Sequence, residues 1–280
     1  MQFLFNISGL LIFLSFLVTL YSYFFNNDLL ILSGILAWTS FLILFNSIKN
    51  KKMILILFIL SLIAFLISYF NGFKIDFIKV FTVNQYLLTL LIAVGFLRLI
   101  ATPKKDKLSS LPKGKQSFIK TYLGVHLFGS VINLSSLILV ADKMYKKAPL
   151  TNSQIILLTR AFSSDAYWSP FFVAFAAAIT YAPNLNASII LLNGITLAFL
   201  AFLITYYEVI KNKEFNIDEF RGYPLSFDSL YLPFILAVLV LLTNYIYPET
   251  KVIVLISLYS MLMSLFILPI KKGFNQAISK

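Results

Sequence analysis

The sequence predicts an all-α integral membrane protein, and three observations support this fold class. Hydrophobic residues make up 60% of the 280 residues and charged residues only 12%, whereas soluble domains carry about 25% charged residues. Apolar runs that match the span of a bilayer, about 20 residues, recur along the chain. Lysines are concentrated between these runs, which is the pattern of cytoplasmic loops.

Four apolar runs predict the membrane helices of the first part of the chain. They cover about residues 3–25, 29–48, 53–70 and 85–100. The first run has no basic start and no small-residue cleavage site, so we interpret it as a membrane helix and not as a cleaved signal peptide. Residues 1–101 are therefore predicted to form an N-terminal unit of four membrane helices.

Residues 102–120 are the longest hydrophilic stretch, and their lysines predict a basic cytoplasmic loop. Lysines within 49–52, 211–213 and 271–272 fall on the same side, which places both termini in the cytoplasm. The net charge of +12 thus reflects loops that face anionic lipid headgroups and does not indicate a nucleic-acid partner. Composition rich in Ile, Phe, Lys and Asn suggests an AT-rich bacterial genome, and hence the bacterial inner membrane.

The C-terminal unit, residues 121–280, is predicted to be less regular. Residues 122–140 are interrupted by small and polar residues, and residues 150–182 form a run longer than one straight crossing needs. Plain membrane helices are predicted over about residues 187–210, 229–247 and 252–270. In total we predict about eight transmembrane crossings, one re-entrant hairpin and one broken helix.

Two arrangements keep both termini in the cytoplasm. In the first, residues 122–140 are the re-entrant hairpin and residues 150–182 cross the membrane with a break. In the second, the roles of the two segments are exchanged. The connecting residues 142–147 contain three lysines, and these favour the first arrangement because it places them in the cytoplasm.

Two charged residues in an apolar region are the strongest candidates for a functional site. An ionised side chain at membrane depth is costly, so Arg160 and Asp165 are expected to pair, to face a cavity or to bind a ligand. On one straight helix they would point about 140° apart. A break near Ser163 and Ser164 is therefore predicted to bring them together. A static salt bridge is the structural alternative.

The residues after Asp165 predict how this break ends. Proline is favourable at the first position of a helix, so a helix is predicted to start after Ser169 with Pro170 as its first residue. Such a half-helix points its positive dipole end at the break, where anions bind, and unwound carbonyls bind cations. Ser163, Ser164 and Ser169 are predicted to donate hydrogen bonds to a substrate or ion. An ordinary kink is the alternative.

The preceding interrupted run carries a second candidate group. Asn133, Ser135 and Ser136 are predicted to lie at the hairpin tip and to bind substrate or ion; helix packing by small and polar residues is the alternative. Histidine is the residue type whose ordinary pKa lies nearest to neutral, so His126 is predicted as a proton relay, with a hydrogen-bonded structural role as the alternative. The chain has no cysteine and one histidine, so neither a metal site nor a cofactor is predicted.

A hairpin-like segment followed by a broken helix resembles the core of the ion transporter superfamily of secondary transporters. Residues 129–136 (GSVINLSS) match the hairpin tip of that family, and residues 163–170 (SSDAYWSP) match its unwound break. The resemblance covers residues 122–210 and implies transport of dicarboxylates, citrate, gluconate or other anions with Na⁺ or protons. The family usually contains two inverted halves, whereas this chain has room for one, so a parallel homodimer would supply the second copy.

These observations predict a bacterial secondary transporter or permease for a small anionic solute, coupled to protons or Na⁺. Arg160 would bind the anion, and Asp165 would hold Arg160 or bind the coupling cation. Membrane lipids, the solute and a second copy of the chain are the expected partners. Two alternatives stay open: a non-transporting subunit or assembly factor, and an intramembrane enzyme on a lipid-linked substrate. Enzymatic activity is not predicted, because no Ser/His/Asp order has suitable spacing.

Overall fold

The computed structural model describes residues 2–101, 110–132, 134–182, 184–211, 216–223 and 231–272. In these ranges the chain is helical, which confirms the predicted all-α fold class. Six of the described helices are long and apolar enough to cross a membrane, which indicates a membrane-embedded protein. These candidate spans are Gln2–Phe24, Asn27–Ser47, Lys51–Phe70, Phe77–Leu97, Ser188–Lys211 and Val252–Ile270.

The described ranges contain α-helices, most of which lie within the predicted apolar runs. They are α1 (Gln2–Phe24), α2 (Leu30–Leu44), α3 (Lys51–Phe70), α4 (Phe77–Thr82), α5 (Gln85–Ala101), α6 (Lys115–Ile132), α7 (Leu134–Tyr145), α8 (Asn152–Ser163), α9 (Val173–Tyr181), α10 (Ala187–Lys211), α11 (Tyr231–Ile246) and α12 (Val252–Lys272). Helix α4 lies between two of the predicted runs, and α6 begins within the predicted loop. A 3₁₀ segment, Ser164–Tyr167, follows α8 directly.

The chain forms two compact units, residues 1–92 and residues 93–280. The division falls within α5, whereas the sequence predicted a division at the basic loop. Residues 102–109 of that loop lie outside the described residues. Its last part is helical, since α6 begins at Lys115, and lysine and glutamine are good helix formers.

In the first unit, α1 and α2 pack antiparallel along a line of serines. The Ser15 and Ser33 hydroxyl oxygens lie 3.0 Å apart, and each is 2.9 Å from the carbonyl oxygen of the other residue. Farther along the same interface, Ser40 donates to the Ser8 carbonyl at 3.1 Å. The Gln85 side-chain oxygen accepts from Ser33 at 3.1 Å. We call these five residues the serine seam.

Helix α3 of the same unit has a different environment. It has no buried residue, and apolar side chains cover all of its faces. A helix that is apolar all round is suited to a lipid environment.

In the second unit, the chain reverses direction between α6 and α7. The Ser136 hydroxyl lies 3.5 Å from the Val125 carbonyl oxygen, and the two residues are 11 positions apart. Eleven residues of a straight helix would extend about 16 Å, so the two helices must fold back on each other. Helix α6 ends at Ile132 and α7 begins at Leu134, and residue 133 lies outside the described residues.

Helices α8 and α9 are separated by a break. The backbone tightens into the 3₁₀ segment after α8, and the next helix begins only at Val173. The prediction that a helix starts after Ser169 with Pro170 at its first position is therefore wrong. The Ser169 hydroxyl accepts from the Phe171 backbone N–H at 3.2 Å, and this local turn contains Pro170.

Candidate functional site

The 3₁₀ segment holds Asp165 inside the second unit, beside His126 of α6. The Asp165 side chain is fully buried, and the His126 side chain is only 12% exposed. Asp165 Oδ1 lies 2.8 Å from His126 Nδ1. Tyr122, Ser164 and Trp168 contact this pair or its neighbours. We call these five residues the helix-break cluster.

Two residues of the cluster, Tyr122 and His126, lie on α6, which packs antiparallel to the membrane-length helix α10. The Phe118 ring lies 6.2 Å from the Tyr206 ring, measured between centroids. One turn later on α6, the Tyr122 ring lies 5.0 Å from the Phe202 ring, which is one turn earlier on α10. The contacts therefore run in opposite directions along the two helices.

This register places the cluster near the middle of α10. One further turn on each helix brings His126 level with Ala198, about 15 Å from the start and about 20 Å from the end of the span Ser188–Lys211. The Tyr167 carbonyl packs so closely on Gly194 of α10 that a Cβ at Gly194 would overlap it. The break therefore contacts α10 about 9 Å from the start of this membrane-length span.

The Asp165 carboxylate is buried, and neither oxygen receives a well-aligned hydrogen bond from the described residues. Its Oδ1 is close to His126 Nδ1, but that nitrogen also lies 2.9 Å from the Ser164 hydroxyl and 3.1 Å from the Ala161 carbonyl. Three acceptors thus surround one ring nitrogen. A buried charge without a full set of donors is costly, so this carboxylate is a candidate for binding a proton or a cation.

Gly129 of α6 provides the space that the carboxylate occupies. A Cβ at this position would overlap Asp165 Oδ2 and would lie 3.1 Å from the Ser136 hydroxyl. A larger side chain at this position would therefore displace the carboxylate.

Trp168 determines the tautomer of neutral His126. Its indole N–H donates to His126 Nε2 at 3.0 Å. Since an indole can only donate, Nε2 must carry the lone pair. The proton of the neutral imidazole therefore lies on Nδ1, which faces Asp165.

Ser164 and Tyr122 hold the imidazole from the other side. The Ser164 hydroxyl donates to the Ala161 carbonyl at 2.9 Å and lies 3.3 Å from the Tyr122 hydroxyl. The Tyr122 ring is buried and stacks on His126 with centroids 6.3 Å apart. These contacts restrict the orientation of the imidazole ring.

Arg160 does not join the helix-break cluster. It forms an ion pair with Glu208 of α10, and the two side chains are 42% and 51% exposed. The predicted pairing of Arg160 with Asp165 is therefore wrong. The 3₁₀ segment turns the Asp165 carboxylate inward to His126, while Arg160 projects from α8 towards the exposed Glu208.

The other predicted site residues differ in their surroundings. Ser169 is buried and donates to a backbone carbonyl of α6. Ser136 is buried near Gly129, and Ser163 is exposed. Asn133 and the side chain of Ser135 lie outside the described residues. The binding roles of these residues stay predictions.

Ser164, His126 and Asp165 are the residue types of a hydrolase triad, but their arrangement is different. In a triad, the serine and the carboxylate contact opposite nitrogens of the imidazole. Here both face Nδ1, and Nε2 accepts from Trp168. Among the described residues, no group of three or more His, Cys, Asp or Glu side chains could hold a metal ion.

Three residues of this site were not among the predicted site residues. Tyr122 precedes His126 by one helical turn, and Gly129 follows it by one, so all three share a face of α6. Trp168 lies three residues after Asp165, which is one turn of a 3₁₀ helix. Helical spacing from the two ionisable residues is the signal that identifies them.

Comparison with known proteins assigns no family to this chain. No protein-family model, curated protein or solved structure matches it.

Proposed function

We propose that this protein is a secondary transporter or permease of the bacterial inner membrane that couples movement of a small solute to protons. One observation carries this proposal: the buried Asp165 carboxylate lies 2.8 Å from His126, beside a helix break that packs on Gly194 of the membrane-length helix α10. Asp165 and His126 are the proton-binding pair of the proposed transporter.

The chemistry of the pair supports a functional role over a structural one. Neutral serine or asparagine side chains suffice to hold membrane helices together. An ionisable pair at membrane depth costs more, and such residues commonly mark proton or substrate paths. The break adds unwound backbone next to the pair, as in transporters whose binding sites are formed by discontinuous helices.

The helical geometry also supports the topology predicted from the sequence. The fold-back of α6 on α7 is proposed to be the re-entrant hairpin. The segment from α8 through the 3₁₀ turn to α9 is proposed to be the broken crossing. With the plain helices, the proposed topology has about eight crossings and both termini in the cytoplasm.

The proposed solute is a small anion, as the resemblance to the ion transporter superfamily implies. Proton cotransport would offset the negative charge that crosses the membrane. Arg160 can bind the anion only if it leaves Glu208, its partner in the present structure. A homodimer would supply the second copy of the site that the family usually has within one chain.

Uptake into proteoliposomes tests the proposal. Radiolabelled succinate, citrate or gluconate is added outside vesicles that contain the purified protein, either with an inward proton gradient or with equal pH on both sides. We expect at least one of these anions to accumulate only when the gradient is present. Asp165→Asn should remove this dependence, whereas Ser163→Ala, at an exposed serine of the same segment, should retain it.

The same experiment separates the alternatives. If uptake does not depend on the proton gradient and Asp165→Asn does not change it, Asp165 and His126 have no role in transport. No uptake of any of the three anions by folded protein, together with a stoichiometric partner in native membranes, would favour the subunit alternative. Covalent labelling of Ser164 by a serine-directed phosphonate would favour the enzyme alternative.

A further inference from the structure

The indole of Trp168 is the hydrogen-bond donor to the second nitrogen of His126. Trp168 Nε1 lies 3.0 Å from His126 Nε2, and the two ring centroids are 5.8 Å apart. An indole nitrogen donates and cannot accept. The bond therefore exists only while Nε2 has a free lone pair.

Protonation of His126 removes that lone pair. A protonated imidazole carries N–H groups on both nitrogens and accepts no hydrogen bond. Its Nε2–H would then point directly at the Trp168 N–H, so two donors would face each other. The protonated state of His126 and the Trp168 hydrogen bond are mutually exclusive.

We propose that Trp168 is a proton-controlled latch of the helix break, closed on neutral His126 and released when the imidazole takes up a proton. This inference rests on the proton-binding pair of the proposed function and names the group through which the proton changes the conformation. Asp165 supplies the counter-charge on the Nδ1 side, because its Oδ1 lies 2.8 Å from that nitrogen. Trp168 is a positioning residue in this account.

Release of Trp168 would affect the packing of the break on α10. Trp168 directly follows the 3₁₀ segment as its C-terminal cap, and its Cα would lie 2.9 Å from a Cβ built at Gly194. The preceding carbonyl, of Tyr167, packs still closer to the same glycine. The Trp168 side chain is only partly buried, so it has room to move. The latch thus connects the charge of His126 to the contact between the break and a membrane-length helix.

The ionisable groups around His126 support the assignment of the bound proton to the pair of His126 and Asp165. Within the part of the chain that the structure describes, Asp165 and Tyr122 are the titratable side chains that face the imidazole. The other ionisable side chains described on the packed elements are Asp142, Lys143 and Tyr145 of α7, Arg160 of α8, Tyr167 of the 3₁₀ segment, Tyr181 of α9, and Tyr206, Tyr207, Glu208 and Lys211 of α10. A tyrosine ordinarily ionises at about pH 10, so we assign the proton that controls the latch to the pair of His126 and Asp165 and not to Tyr122.

The composition of the chain allows a direct test. It contains one histidine and two tryptophans, so Trp38→Phe leaves His126 and Trp168 as single reporters without a change at the site. The Trp38→Phe protein is labelled with ¹⁵N-histidine and ¹⁵N-tryptophan and titrated in detergent micelles between about pH 9 and pH 5. Quenching of Trp168 fluorescence by acrylamide is followed over the same range.

At high pH we expect the neutral His126 tautomer with its proton on Nδ1. As the pH falls, the imidazole should become doubly protonated. The indole N–H resonance should shift, and acrylamide quenching should increase, with the same midpoint. Trp168→Phe, which keeps an aromatic ring but removes the N–H, should give a mixture of the two neutral tautomers.

Three results would overturn the latch. The first is a neutral His126 with its proton on Nε2. The second is a His126 that stays neutral across the whole pH range. The third is a His126 that becomes protonated while the indole N–H resonance and the acrylamide quenching of Trp168 stay constant. None of these measurements requires a solute. If the latch titrates but no anion is transported in proteoliposomes, the proposed transport function fails while the latch stands.

Discussion

The two units bury polar side chains in opposite ways. In the serine seam of the first unit, Ser15, Ser33 and Gln85 satisfy one another with neutral hydroxyl and amide groups. In the helix-break cluster of the second unit, the fully buried Asp165 carboxylate competes with other acceptors for the N–H of His126. The charge of the serine seam is therefore independent of pH, whereas the charge of the helix-break cluster changes when a proton binds.

This difference separates helix packing from candidate function. Neutral groups that satisfy each other stabilise a helix pair by about 1 kcal/mol per interaction and have one favourable arrangement. An ionisable pair has several protonation states, and each state has its own best set of hydrogen bonds. Polar residues in a membrane protein therefore indicate function when they are ionisable, buried and incompletely paired.

Substitution at the imidazole should produce the largest effect. In His126→Gln, the side-chain oxygen can still accept from Trp168, but the side chain takes up no proton. We expect proton-driven accumulation of the transported anion to fall by about 5–150-fold, which corresponds to a coupling of about 1–3 kcal/mol. Uptake assays in proteoliposomes measure this ratio. Accumulation at the parental level would show that His126 belongs with the structural polar groups.

Close contacts between a glycine and a backbone carbonyl should contribute similarly to the stability of the two units. A Cβ at Gly34 would overlap the Phe81 carbonyl in the first unit, and a Cβ at Gly194 would overlap the Tyr167 carbonyl in the second. Backbone atoms move less readily than side chains, so each alanine substitution should destabilise the protein by about 1–3 kcal/mol. Unfolding in mixed detergent micelles measures the change.

Gly9 is the matched control for both glycine substitutions. A Cβ at this position of α1 meets nothing within 4 Å. Gly9→Ala should leave the protein as stable or add about 0.5–1 kcal/mol, because alanine favours the helix. Equal losses at Gly9 and Gly194 would show that helix propensity, and not the close contact, determines the effect.

A substitution in the serine seam should lower the stability of the protein but should not change its transport. Ser33→Ala removes a hydroxyl that contacts Ser15 and Gln85, and it should reduce the free energy of unfolding by about 0.6–1.7 kcal/mol. The dependence of uptake on the proton gradient should stay at the parental value. A loss of gradient dependence in this variant would remove the distinction between the two polar groups.

Substitution in the ion pair of Arg160 and Glu208 should have the smallest effect on stability and on proton coupling. Arg160→Gln removes the positive charge that pairs with Glu208, and the two side chains of this ion pair are about half exposed. Screening limits the expected change in stability to about 0–1 kcal/mol. Proton coupling should be unchanged, since neither residue contacts His126 or Asp165. An altered proton dependence of uptake would place Arg160 in the proton path.

Much of the fold could be predicted from hydropathy alone. Apolar length identifies α1, α2, α3, α5, α10 and α12, because a bilayer requires long apolar helices. The serine seam also leaves a sequence signal, since Ser8 and Ser15, like Ser33 and Ser40, are seven residues apart and so share one helix face.

The site was only partly predictable, because local spacing does not determine tertiary contacts. The cost of a buried charge correctly identifies Asp165 as a residue in need of a partner. The identity of that partner depends on how α6 packs against the break, and this brings in His126, which is 39 residues earlier in the chain. The start of α9 at Val173 likewise depends on a local turn at Ser169 that competes with the helix.

Simultaneous recording of solute and proton flux tests the central claim most directly. Vesicles that contain trapped pyranine and either Asp165→Asn or Ser33→Ala protein are given the anion that the parental protein transports, with no initial pH difference. We predict that uptake by Ser33→Ala acidifies the vesicle interior as uptake by the parental protein does, and that Asp165→Asn produces no acidification. Equal acidification per anion taken up in both variants would contradict the assignment of Asp165 and His126 as the proton-binding pair.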